Sequence, residues 1–204
     1  MKWVIASSNG HKVKEFRTIL QEELKSLWSR FEFLSLRDFA GYLSPEETGA
    51  TFGENALIKA RQAAQILGQW AIADDSGLVV PALGGAPGVY SARYAGSNAT
   101  DKENRLKLLQ VMHSFTGEAR SAYFECCIAI AGPQGQEKVF RGLCEGFLLS
   151  EERGNLGFGY DALFVKHDYS KTFAELDATT KNRISHRRKA LDRAAIFLQS
   201  LISQ

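Results

Sequence analysis

Cysteine is scarce in this chain. Of 204 residues only three are Cys, two of them the adjacent pair Cys126 and Cys127, which supply neither a disulfide framework nor a CxxC zinc pattern. A reducing, cytoplasmic setting is therefore expected. A strong charge of one sign is missing as well: 25 basic and 23 acidic residues leave a formal net charge of +2, too balanced for a protein that coats nucleic acid. Any anion it binds must be met by local groups. Long apolar runs are also absent. Trp3 to Ala6 is four residues, shorter than the core of a secretion signal, and no stretch approaches a membrane span. There is no GxxxxGK(S/T) phosphate loop, no GxGxxG dinucleotide fingerprint, no internal repeat and no hinge linker. What remains is an ordinary globular composition, 45% hydrophobic and 24% charged, able to build a core without disulfides or structural metal. One domain over residues 1–204 is expected.

Trp3-Val4-Ile5-Ala6 reads as a buried strand, followed after a Ser/Asn/Gly turn by Val13, Phe16, Leu20, Leu24 and Leu27 at helical spacing. Thr51 and Glu54 have capping-box spacing and open an Ala-rich helix that Gly68 ends. Trp70 to Ala73 is a second apolar strand, cut by Asp74-Asp75-Ser76-Gly77 and resumed at Leu78-Val79-Val80. Residues 81–99 read as a long loop, and Thr100 with Glu103 caps a helix whose face includes Leu106, Leu109 and His113. Ala122 to Ala131 and Glu137 to Leu149 pattern as a long hairpin, Ala162 to Val165 as a last strand, and Ala190 to Leu201 as a closing amphipathic helix. Strands alternating with helices, plus a hairpin, predict a mixed α/β sheet with helices on both faces and ligand-binding clusters at strand ends.

Four polar clusters border these segments, and each has two readings. Ser7-Ser8-Asn9-Gly10-His11-Lys12 lies where a strand hands over to a helix, so backbone N–H groups and Lys12 either meet an anion or merely cap the helix. Asp74 and Asp75 follow an apolar strand, where carboxylates must be hydrogen-bonded, ion-paired or bound to a cation; an Asx-type turn is the alternative. Strand alternation allows at most one of them to look into a given cleft. Gly157-Phe158-Gly159-Tyr160-Asp161 sets two flexible backbone positions around an aromatic, suited to a planar ligand or to a core-packed Phe. Lys181-Asn182-Arg183-Ile184-Ser185-His186-Arg187 places Ser185 as an N-cap with cations loading the first turn. That opposes the helix dipole unless a phosphate or an acidic partner compensates. Glu46-Glu47 completes a cation site or is surface charge.

Together these residues resemble the inosine triphosphate pyrophosphatase family. The likeness runs nearly end to end, through Ser7 to Lys12, Glu47-Thr48-Gly49-Ala50-Thr51-Phe52-Gly53-Glu54-Asn55-Ala56, Ala73 to Leu78, Gly84 to Tyr94, Gly157 to Asp161 and Ser185-His186-Arg187. The resemblance implies an elongated mixed β-sheet flanked by helices, with two lobes around a central cleft. It implies a cytoplasmic homodimer that uses Mg²⁺ to split ITP, dITP or XTP into the monophosphate and pyrophosphate, without nucleic-acid or membrane partners. By position it places the phosphate loop on Ser7, Ser8, Asn9, Gly10, His11 and Lys12, and the metal and general-base carboxylate on Asp75. A second metal contact falls on Glu47 and a substrate contact on Ser76. Phe158, Gly159, Tyr160, Asp161, Lys181, His186 and Arg187 form the base and sugar pocket. Ser7 stands where the family often has Thr, which keeps the hydroxyl; Leu156 stands where it usually has Gly and Ala162 where it usually has Pro, so a looser or differently aimed base-side loop is expected. Two rival readings are a non-catalytic nucleotide or RNA binder with idle carboxylates, and a phosphohydrolase releasing orthophosphate.

Overall fold

A computed structural model describes residues 1–202, the last of them without its side chain. Positions 203 and 204 of the expected domain lie outside the described residues. In chain order the elements are β1 (Lys2–Ile5), α1 (Gly10–Leu24), β2 (Glu32–Ser35), α2 (Phe52–Leu67), β3 (Trp70–Val79), α3 (Asp101–Val111), β4 (Ser121–Ala131), β5 (Glu137–Leu148), β6 (Phe164–Lys166), α4 (Ala178–Ile184) and α5 (His186–Ile202). The strand order is β2-β1-β3-β4-β5-β6, parallel where β1 meets β2 and β3 and antiparallel where β5 meets β6. The sheet is thus mixed, as the alternation of strands and helices predicts. Among the described residues no helix is long and apolar enough to cross a membrane.

The described residues cluster into two compact units, each assembled from separate stretches: residues 1–75, 126–142 and 187–202 in the first, and 76–125 with 143–186 in the second. The first unit's core sets Trp3, Ile5, Phe33, Ile72, Ile128 and Ile130 from the strands against Phe16, Ile19, Leu20 and Leu24 of α1 and Ala190, Leu191, Ala194 and Leu198 of α5. Val4, Ala71 and Ala73 alternate with those strand residues and are fully buried too, so both faces of this part of the sheet are covered. The second unit's core gathers Leu78, Val80, Leu108, Phe124, Leu148, Leu163, Phe164 and Phe173.

Several elements differ from the sequence reading. Asp74 and Asp75 do not cut a strand: β3 runs unbroken through them, because neighbouring cations stand in for the solvent the carboxylates lose. No Asx turn forms there, and the acid cluster sits within a strand, not at its end. β2, with Phe33 alternating inward, was not anticipated. The 81–99 segment is more ordered than a loop, with short 3-10 turns at Pro81–Leu83 and Gly88–Arg93. α3 stops at Val111, leaving His113 beyond its end. The basic cluster is split over two helices, Lys181 on α4 and His186 and Arg187 opening α5, with Ser185 between them.

Candidate active site

The first unit's cluster follows from two local facts. In the parallel register Ile5 lies beside Ile72, and Ala6 continues the pairing by donating its N–H to Ile72 O at 2.8 Å, so the chain leaving β1 passes Asp74 and Asp75 on β3. Asn9 then caps α1, its Oδ1 accepting the N–H groups of His11 (3.0 Å) and Lys12 (3.3 Å), while Ser7 Oγ accepts the Asn9 N–H at 3.2 Å. Lys12 is thereby fixed in the first turn. Ser8 and His11 are exposed on this loop, and the guanidinium of Arg37 lies beside Gly10.

Strand alternation sends the two aspartates to different helices. Asp74 shares the face of Ile72, the side packed by α1 and α5, and there it meets Lys12 Nζ at 2.9 Å and Arg187 at 3.4 Å. Asp75 takes the other face, where α2 supplies Asn55 and Lys59: Asn55 Nδ2 donates to Asp75 Oδ2 at 3.0 Å, and Lys59 Nζ lies 3.4 Å from Asp75 Oδ1. The same Lys59 ammonium is 2.6 Å from Glu47 Oε1. The Gly49 N–H donates to Asn55 Oδ1 at 2.8 Å, which turns the amide so that its NH₂ faces the carboxylate.

These environments push the two carboxyls in opposite directions. Burial is the largest influence on Asp74 and acts upward, but Lys12, Arg187 and Lys59 together overcome it and hold the group well below the usual carboxylate range. Burial also dominates at Asp75, Glu47 adds like-charge repulsion, and the opposing pull of Lys59 and Lys12 is insufficient, so this carboxyl is raised. Such separation of neighbouring acids marks sites where one group binds charge and the other moves a proton.

Arg187 is fully buried and ion-paired to Glu15 and Asp74, and Arg188 to Glu22, Glu23 and Asp192. The two arginines that oppose the α5 dipole are therefore compensated by acidic side chains, and no phosphate is needed to explain them. Lys59, Asn55 and Glu15 were missed in the sequence. A lysine within a helix ordinarily reads as solvated. The signal that could have found this one is its i, i+4 spacing from Asn55, one position before the buried Ala56 and Ala60.

Half-buried Ser76 opens the second unit's share of β3. The loop there is organised by Asp161, whose Oδ2 accepts the Phe158 N–H at 2.8 Å and the buried Lys181 ammonium at 2.5 Å. Lys181 Nζ also stands 4.6 Å from the Phe158 ring centroid, a cation–π contact that fixes the ring. His186 stacks on Phe124, centroids 4.8 Å apart and planes within 13°. Tyr160 turns inward: its hydroxyl donates to Ser91 O at 2.9 Å, and burial raises its pKa. The structure thus gathers Phe158, Gly159, Asp161 and Lys181 in one loop environment and commits the Tyr160 hydroxyl to backbone.

Residues 3–197 match the model of the Ham1 family. The chain is 52% identical over 202 residues to the dITP/XTP pyrophosphatase of Protochlamydia amoebophila (98% of this chain, 99% of that one), and 51% identical over 205 residues to that of Chlamydia abortus (100% and 97%). Among solved structures it is similar to the Staphylococcus aureus Ham1 protein (TM-score 0.87, 40% identity, 98% and 99% covered) and to a HAM1 protein from Coxiella burnetii (TM-score 0.88, 42% identity, 98% and 99% covered). With sequence and backbone agreeing over nearly the whole length, this chain belongs to the Ham1 family.

Proposed function

We propose that this chain hydrolyses the deaminated purine nucleoside triphosphates ITP, dITP and XTP to the monophosphate and pyrophosphate, clearing them from the nucleotide pool. The observation that carries the reading is the raised, buried Asp75, held at Oδ2 by Asn55 and facing Lys59 and Glu47 with Oδ1. A carboxylate with a raised pKa and one oxygen pinned is suited to take a proton from water.

Lys12 and Lys59, with Asp74 holding Lys12 in place, meet the negative charge of the triphosphate. Asp75 accepts a proton from the attacking water as its oxygen bonds to the α-phosphorus. The bond to the bridging oxygen breaks, and pyrophosphate leaves with that electron pair. No covalent enzyme intermediate is required.

Magnesium fits the donor set. Glu47 Oε1 and Asp75 Oδ1 both reach the single ammonium of Lys59, so two mutually repelling carboxylates converge on the volume of one cation. Among the described residues no group of three His, Cys, Asp or Glu forms a metal cage. Mg²⁺ does not need one, since it is commonly held through one or two carboxylates with water and substrate phosphates completing its shell. When bound, the ion neutralises phosphate oxygens.

For the base, Phe158 offers a stacking face and Lys181 and His186 carry the donors, since the Phe158 and Gly159 N–H groups are already given to Asp161 and Asp101. Hypoxanthine and xanthine carry a 6-keto oxygen where adenine carries an amino group. A donor aimed at that position accepts the first two and faces another donor in the third, at a cost of about 1–3 kcal/mol per contact. The test is a side-by-side turnover assay of ITP, XTP, GTP and ATP, with and without Mg²⁺, and with product identification. IMP and pyrophosphate from ITP, with GTP and ATP spared, are expected. Intact ITP would leave only a binder, and IDP with orthophosphate a different hydrolase.

A further inference from the structure

We propose that Asp101 and Arg105, on α3, are positioning residues for base selection: they clamp both peptide groups of Gly159 and so set where the Phe158 loop meets the base. This deepens the functional reading above and rests on it. The Gly159 N–H donates to Asp101 Oδ2 at 2.7 Å, and the Gly159 carbonyl accepts from Arg105 Nη1 at 2.8 Å. Arg105 is itself held by Glu152 at 3.0 Å.

Packing does not hold this peptide. Gly159 has φ +58°, and a Cβ added there would find nothing within 4 Å. Beside it lies a hollow of about 180 Å³ lined by Asp101, Arg105, Glu152, Leu156, Phe158 and Gly159 among others, room into which the loop can relax. The two hydrogen bonds oppose that relaxation at Gly159 itself, one residue before the inward-turned Tyr160.

The anchor itself is rigid. Asp101 and Arg105 are one helical turn apart and project from the same side of α3. The helix begins in a Thr100–Glu103 capping box, and buried Asn104 accepts the Ala95 N–H at 2.7 Å and donates to Ala92 O at 3.1 Å. The loop is therefore fastened at Phe158 by Asp161, at Gly159 by α3 and at Tyr160 by Ser91. Releasing the second leaves the stacking ring attached but lets the backbone beside it drift. Displacements of about 1 Å are enough to spoil aligned contacts.

The experiment compares kcat and KM for ITP and GTP in the wild type, Asp101→Ala, Arg105→Ala and Asp101→Asn, with thermal melting as the control for folding. Each alanine variant should lose about tenfold of the ITP-over-GTP preference while kcat on ITP stays within about threefold. Asp101→Asn keeps an acceptor oxygen without the charge and should restore most of the preference. A selective wild type whose preference survives both alanine changes overturns the clamp alone. So does an Asn variant that behaves like Ala, since it would assign the effect to helix charge. A wild type that turns over ITP and GTP equally overturns the functional reading and the clamp with it.

Discussion

Lys12 Nζ lies 2.9 Å from Asp74 Oδ2, on the opposite face of β3 from the one where Asp75 meets Lys59. Two adjacent acids thus have different nearest cations. Asp74 is buried charge that binds the first loop and α5 to the sheet, and under the proposed function Asp75 is the carboxyl that takes the proton.

That division predicts opposite outcomes for the same chemical change. Asp74→Asn removes the charge facing buried Arg187 and Lys12, and breaking a buried pair of this kind costs about 3 kcal/mol of stability. Asp75→Asn relieves a carboxylate whose ionised form is disfavoured where it sits, so the fold should be as stable as the wild type or more so. Turnover of ITP should nevertheless fall by about 10²-fold or more. Urea unfolding and steady-state kinetics on both variants check the pair.

The pH dependence of stability follows from the same shifts. Asp74 is lowered from its ordinary 3.8, so its stabilising contribution is complete above that value and is lost as pH falls through the folded one. Asp75 is raised from 3.8, so it favours the fold below that value, and this support is lost as pH rises through the folded one. Urea midpoints from about pH 3 to about pH 7 should show Asp75→Asn gaining on the wild type as pH rises from 3.8 and then levelling. The deficit of Asp74→Asn should shrink as pH falls below 3.8.

Much of this was legible in the sequence because it is local. The strand and turn at Trp3 to Lys12 and the capping boxes at Thr51 and Thr100 are set by neighbours within a few residues, and the structure has them. The aspartate pair was misread as an interruption because what lets it remain in a strand comes from far along the chain: Arg187 is 113 residues from Asp74, and Lys59 is 16 residues from Asp75 on another element. The basic start of α5 stays open between a phosphate and an acidic partner in the sequence for the same reason, since its compensating acids Glu15, Glu22 and Glu23 lie on α1. Periodicity reports which face is buried, not which opposite charge awaits it there.

Lys59 occupies the point on which Glu47 and Asp75 converge, so it competes with any divalent ion for those oxygens. Replacing it by methionine removes the competitor and leaves two carboxylates repelling each other. Lys59→Met should bind Mn²⁺ several-fold more tightly by calorimetric titration without nucleotide, and KM for ITP should rise because one phosphate contact is gone. Unchanged or weaker Mn²⁺ binding would show that the two carboxylates do not share a cation site.

Phe158 is held by Lys181 over its ring and by Asp161 on its N–H, and its stacking face is indifferent to the exocyclic groups of a purine. Phe158→Ala should therefore weaken binding of ITP and XTP alike, by about 1–3 kcal/mol on the scale of base–aromatic stacking. The ratio of kcat/KM between ITP and GTP should change little, because the proposed function gives discrimination to side-chain donors and not to the ring. A large loss of selectivity with KM unchanged would assign the ring to discrimination and not to affinity.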